Sequence, residues 1–218
     1  MPIGAPSHPE SWHLGNTVVP MSKIDDLIAR IRVLEDEVQA EYDKRREDFA
    51  FVIEEKRVQF SEAVSALQRG SRRGLFGYVT GASILSWLVA PVIYVGIVPL
   101  ALLDLFLTIY QSICFRVYRI AKVKRSDYLV LDRGDLPYLN VLEKLNCMYC
   151  GYANGLMGWA REIAARTEQF FCPIKHARRI LAAHDRYHGF FEYGDAESYR
   201  LGLERLRGAL APVEEAER

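Results

Sequence analysis

Cysteine is sparse in this sequence, and charge is missing from one long stretch of it. Four cysteines, Cys114, Cys147, Cys150 and Cys172, are too few to staple a chain of 218 residues, which excludes a disulfide-built miniprotein. The first twenty residues lack the basic start and apolar run of a secretory signal. Reduced thiols on the cytoplasmic side are therefore expected. An excess charge of one sign is also missing. The 28 Lys plus Arg balance 28 Asp plus Glu, so composition offers no nucleic-acid partner. No nucleophile–base arrangement, phosphate-cradling glycine loop or paired-carboxylate signature is present.

The balance hides a mosaic. Between residues 74 and 115 the only charged side chain is Asp104, while both flanks are dense in charge. A bilayer core takes about 20 helical residues, so this block is long enough for two spans. Gly96 and Pro99 mark the expected bend of a helical hairpin. Arg69, Arg72 and Arg73 flank one end, and Arg116, Arg119, Lys122, Lys124 and Arg125 the other. Basic residues at both ends place both ends in the cytoplasm, and the second cluster would attract anionic lipid headgroups. The expected turn, YVGIVP, carries no charge. Full crossing, a dip into one leaflet and a buried soluble hairpin therefore all remain open. Asp104 in such a block is costly and is expected to face protein or water. Its role would be ion handling or helix packing near a membrane surface.

Residues 1–21 carry four prolines and no periodicity, and read as a disordered tail. Met21 opens a helix-start pattern with Ser22 as N-cap, so either Met1 or Met21 is a candidate start. A long amphipathic, coiled-coil-like helix is expected over 22–70, with its periodic part in 22–68. Apolar residues recur there every eleven positions: Leu27, Val38, Phe49 and Phe60, with Ile31, Tyr42, Ile53 and Val64. Eleven residues fill three turns, so the stripe runs nearly straight. It reads as a packed face on a solvated helix, open to self-association or a protein partner.

Residues 126–210 read as a cytoplasmic helical domain, with helices near 135–149, 155–171, 174–189 and 195–210, and 211–218 as a polar tail. YLVLD is compatible with a short strand. Pro137 and Pro173 fit first turns and Asp195 fits a cap, while GYANG reads as a break in the chain. The glycines of GYANGLMG are spaced like a helix-breaking turn with close packing. The constellation C-x2-C-x21-C-x3-H supplies Cys147, Cys150, Cys172 and His176, the donor set of a tetrahedral Cys3His zinc site. A Cys at a helix start and a His four residues on share one face. Iron is the alternative metal, although a cluster more often uses four cysteines, and Cys114 is an awkward fourth. Gly151 after Cys150 argues against c-type haem, and a thioredoxin-like dithiol lacks its βαβ surroundings. His184 and His188 have helical metal-ligand spacing, against which stands an exposed or partner-facing pair. Glu162 and Glu168 lie about 120° apart around a helix, and read as ion-pairing residues.

The segment YLNVLEKLNCMYCGYANGLMGWAREIAARTEQFFCPIKHARR resembles a family of uncharacterised bacterial membrane proteins, from the apolar block through C-x3-H. The resemblance lends weight to the three cysteines and His176 as a unit and implies no activity.

The expected protein is mainly α: a long N-terminal helix, a transmembrane or re-entrant hairpin, and a small helical metal-binding domain. Its expected place is the bacterial inner membrane, with both termini cytoplasmic. Its expected role is an anchored scaffold or accessory subunit with structural zinc. The alternative is a membrane-associated metalloenzyme or redox protein acting on a lipid-soluble substrate.

Overall fold

The structure, a computed structural model, describes residues 13–14, 17–18, 23–47, 51–54 and 57–212. It is mainly helical. The chain divides into two units, one of residues 1–53 and 59–61, the other of 54–58 and 62–218.

In the first unit, two dipeptide strands, β1 (His13–Leu14) and β2 (Thr17–Val18), pair antiparallel with His13 opposite Val18. The rest of the expected tail, and the expected cap Ser22, lie outside the described residues. Helix α1 spans Lys23–Glu47. The expectation of one helix to residue 68 or 70 is corrected here. Strands β3 (Phe51–Glu54) and β4 (Arg57–Phe60) follow, and helix resumes only with α2 (Glu62–Gly70). The segment FVIEEKRVQF is rich in β-branched and aromatic residues, which favour extended backbone over helix. Of the eleven-residue series, Ile53 and Phe60 are in strands, Val64 is in α2, and Phe49 lies outside the described residues.

In the second unit, α3 (Leu75–Thr80) and α4 (Ile84–Val95) lead into α5 (Ile97–Tyr110). Residues Ile84–Phe115 form one helix of 32 residues, about 48 Å long, and its most apolar 18-residue window has a mean hydropathy of 2.3. It is long and apolar enough to cross a membrane. The expected hairpin bend at Gly96 and Pro99 is not there. Gly96 keeps right-handed helical dihedrals and donates to the Ile93 carbonyl at 3.1 Å. The turn tightens, but the chain does not reverse. The bend lies at residues 81–83. Tyr78 on α3 and Tyr94 on α4 both bond the Asn146 amide, and on one straight helix they would stand about 24 Å apart. Ser83 starts α4 by accepting from the Ser86 N–H at 3.1 Å, as an N-cap should.

The long helix ends in a π-helical turn, Gln111–Phe115, and a left-handed residue, Arg119 (φ 54). The Ile120 N–H then reaches back to the Phe115 carbonyl at 2.8 Å. This is the hydrogen-bond pattern that closes a helix C-terminus, with an apolar contact between the two bonded residues. Both side chains are buried.

Helix α6 spans Val141–Phe171 without interruption. Asn140 and Glu143 cap it reciprocally, at 3.0 and 2.8 Å. The expected break at GYANG is therefore absent. The reason is packing. Residues 121–131 run back along α6 as a strap, antiparallel to it, with one 3-10 turn at Arg125–Asp127. The Ala121 carbonyl meets Arg166, Val123 meets Trp159, and Tyr128 faces Gly155 and Gly158. Gly151 lies against Leu131. The three glycines line one face of α6, which lets backbone approach backbone. YLVLD is this strap, not a strand. The core gathers Leu156, Trp159 and Ile163 of α6 with Leu107, Phe115, Ile120 and Val123. The α6 members recur at i, i+3 and i+7, the period of a one-faced helix. Helix α7 (Ala196–Gly208) starts at Asp195, whose side chain accepts from the Ser198 N–H. The expected helix over 174–189 is instead an irregular segment containing a short 3-10 turn, Asp185–Gly189.

Candidate functional site

The two halves of the expected metal centre sit at different places on one straight helix. Cys147 and Cys150 lie inside α6, and Cys172 caps its C-terminus. Cys172 lies 22 positions beyond Cys150 on this helix, a rise of about 33 Å. His176 follows Cys172 in irregular chain, stacked on Tyr187 at 6.1 Å, and its N–H donates to the Tyr187 hydroxyl. Among the described residues no cluster of three or more His, Cys, Asp or Glu is placed to hold a metal ion. Zinc, or iron, therefore does not fit these four residues within one chain. Burial and the Glu168 carboxylate also push the Cys172 thiol above its ordinary value, the opposite of what an activated thiolate needs.

His184 and His188 do not share a helix face either. His184 has extended backbone just before the 3-10 turn, and its Nε2 lies 2.9 Å from Glu168 Oε2. Its ring packs edge-on against Phe190 at 5.3 Å. His188 is exposed and borders a shallow, mostly basic pocket with Lys175, His176, Arg178 and Arg179. Lys175 in that pocket is already paired with Glu192 at 2.6 Å.

Glu162 and Glu168 serve separate partners. Glu162 accepts from Arg166 at 2.8 Å and from both Nε and Nη2 of Arg186, at 3.0 and 2.8 Å. Burial raises the Glu162 carboxyl, but the two guanidinium groups outweigh it and hold the carboxyl below its ordinary value. Arg186 also bonds Gln169 at 3.1 Å, so one guanidinium fastens the irregular segment to α6. Nothing in the sequence pattern singled out Arg186.

Asp104 faces protein. Its carboxylate accepts from Arg125 at 2.6 Å and from Tyr152 at 2.9 Å. Burial and then the Asp104 bond hold the Tyr152 hydroxyl above its ordinary value, so it remains a donor. Arg125 thus has a protein partner. Arg116, Arg119, Lys122 and Lys124 stand exposed beside it, at the C-terminal end of the long helix. Sequence reasoning missed Tyr152 and Gln111. A lone amide in an apolar run was the available signal for Gln111.

No protein-family model, curated protein or solved structure matches the chain. Among its described residues, what fold and geometry define is a mainly helical protein with one helix long and apolar enough to span a membrane.

Proposed function

We propose that this chain is a membrane-anchored, non-catalytic scaffold or accessory subunit. One observation carries the reading: the most apolar window of the helix Ile84–Phe115 has a mean hydropathy of 2.3, and only 6 % of it is buried. Leaving such a surface in water is costly, and a contiguous apolar patch of this extent marks a membrane or protein interface. Within this apolar stretch, exposure is highest on the two helices that flank the bend, where Phe76 of α3 and Ile84 of α4 are each 82 % exposed.

The anchor is read as a dip rather than a crossing. The limb before the bend, α3, has six residues, about 9 Å, well short of a 30 Å bilayer core. Basic residues flank both sides, Arg72 and Arg73 before α3 and the cluster from Arg116 after α5. That arrangement favours both flanks in the cytoplasm and contact of the exposed cations with anionic headgroups. The bacterial inner membrane is the setting this implies. The module built on α6 then stands at the membrane surface, and α1 offers its exposed apolar stripe to a partner.

Membrane fractionation tests the anchor. The chain should resist alkaline carbonate extraction and dissolve only in detergent. Release by carbonate would refute it. In spheroplasts, Ser83→Cys should escape a membrane-impermeant maleimide applied from outside. Labelling there would mean full crossing.

A further inference from the structure

Helix α1 carries a second, shorter period than the eleven-residue series. Ile24, Leu27, Ile31, Leu34 and Val38 alternate spacings of three and four, which is a heptad a/d seam. Each is between 46 and 59 % exposed, so the seam is uncovered along the helix. Most of a protein helix's stability comes from packing its apolar face rather than from propensity, so a one-sided apolar seam on a 25-residue helix calls for a partner.

We propose that α1 pairs with α1 of a second copy of this chain as a parallel, two-stranded coiled coil. Ile24, Ile31 and Val38 occupy a, and Leu27 and Leu34 occupy d. β-branched residues at a with leucine at d favour the parallel dimer over other states. The flanking positions agree. In a parallel pair, each g residue faces the e residue five positions on in its partner. That sets Arg30 against Glu35 twice by symmetry, Lys23 beside Ile28, and Glu37 beside Tyr42, so no like charges meet. Glu41 at the next d position ends the seam, six residues before α1 itself ends at Glu47.

The pairing names the partner that the scaffold reading leaves open and rests on that reading. Its test is separate, because carbonate extraction reports the anchor and oligomeric mass reports the seam. The full-length chain in mild detergent should have the protein mass of a dimer by light scattering. Leu34→Asp should reduce it to a monomer while leaving the thermal unfolding of the α6 module unchanged. Under oxidation, Ile24→Cys should form a disulfide-linked dimer beyond the background set by the four native cysteines, and Asp36→Cys, on the outer face, should not. An antiparallel pair would hold the two copies of residue 24 far apart. Linking would then require one a and one d position, Leu27→Cys combined with Val38→Cys, because antiparallel packing sets a against d. A monomeric wild-type chain, a dimer that survives Leu34→Asp, or linking only in that double variant would each overturn the proposal.

Discussion

Gln111 satisfies both backbone polar groups of Val123. Its Oε1 accepts from the Val123 N–H at 2.9 Å, and its Nε2 donates to the Val123 carbonyl at 3.3 Å. Both residues are buried. The side-chain amide does for the strap what a neighbouring strand would do in a sheet. The Val123 carbonyl also accepts from Trp159 Nε1 at 3.2 Å.

Gln111→Leu keeps much of the volume and removes both bonds. The Val123 N–H is then buried without a partner, which costs about 1–3 kcal/mol. The module should melt correspondingly earlier, with its helical content unchanged below the transition. A variant as stable as wild type would mean that water reaches Val123.

The glycine face of α6 makes a graded prediction. A Cβ on Gly155 would lie 2.6 Å from the Tyr128 carbonyl oxygen and 3.0 Å from Leu129 Cα, both backbone atoms. On Gly151 the one tight contact would be the end of the Leu131 side chain, at 3.3 Å, with the Val130 carbonyl oxygen at an ordinary 3.6 Å. Alanine gains about 1 kcal/mol of helix propensity at either site. At Gly155 the strap must shift, at about 1–3 kcal/mol for overpacking. Gly155→Ala should therefore lower stability, and Gly151→Ala should leave it level or raise it. Chemical denaturation of the pair gives the order directly.

These glycines also show where sequence reasoning reached its end. GYANG looks like a helix break because each glycine weakens an isolated helix, and the loss is local and visible. The compensating contact comes from Tyr128 and Leu129, more than twenty residues upstream, and no spacing rule reports it. The same limit governs the cysteines. C-x2-C and C-x3-H match zinc spacings, but the pattern does not say whether the 21 residues between them fold back or run straight. The hairpin expectation placed the bend at Gly96 and Pro99 by composition alone, whereas Ser83, an N-cap with a partner three residues on, was the stronger boundary. What did carry through was local or gross: the apolar stretch, the Asp195 cap, and an Asp104 too costly to face lipid.

Glu162 should make the module acid-sensitive. Its folded carboxyl lies below its ordinary value near 4.5, so the unfolded chain binds the proton first as pH falls. The stabilisation is therefore fully present above that value and is lost as pH drops through the lower folded one. The melting temperature should fall across this acidic window. Glu162→Gln should flatten that part of the profile and lower stability at neutral pH. The loss should be about 1.5–3 kcal/mol, typical of a hydrogen bond to a charged group. An unchanged pH profile in the variant would assign the acid response to another carboxylate.

The straight course of α6 between Cys150 and Cys172 predicts how the chain responds to metal removal. A structural zinc would contribute folding energy outright, so stripping it would melt the module. With about 33 Å of helix between the two ligand pairs, no single ion links them in one chain. A strong chelator should leave the thermal transition where it was. Cys147 is half-buried and Cys172 exposed. Cys147→Ser and Cys172→Ser should each shift stability by no more than about 1 kcal/mol, as substitutions outside a core do. Loss of the transition on chelation, restored by zinc, would require α6 to break near residues 151–155 and bring Cys147 and Cys150 back to Cys172 and His176.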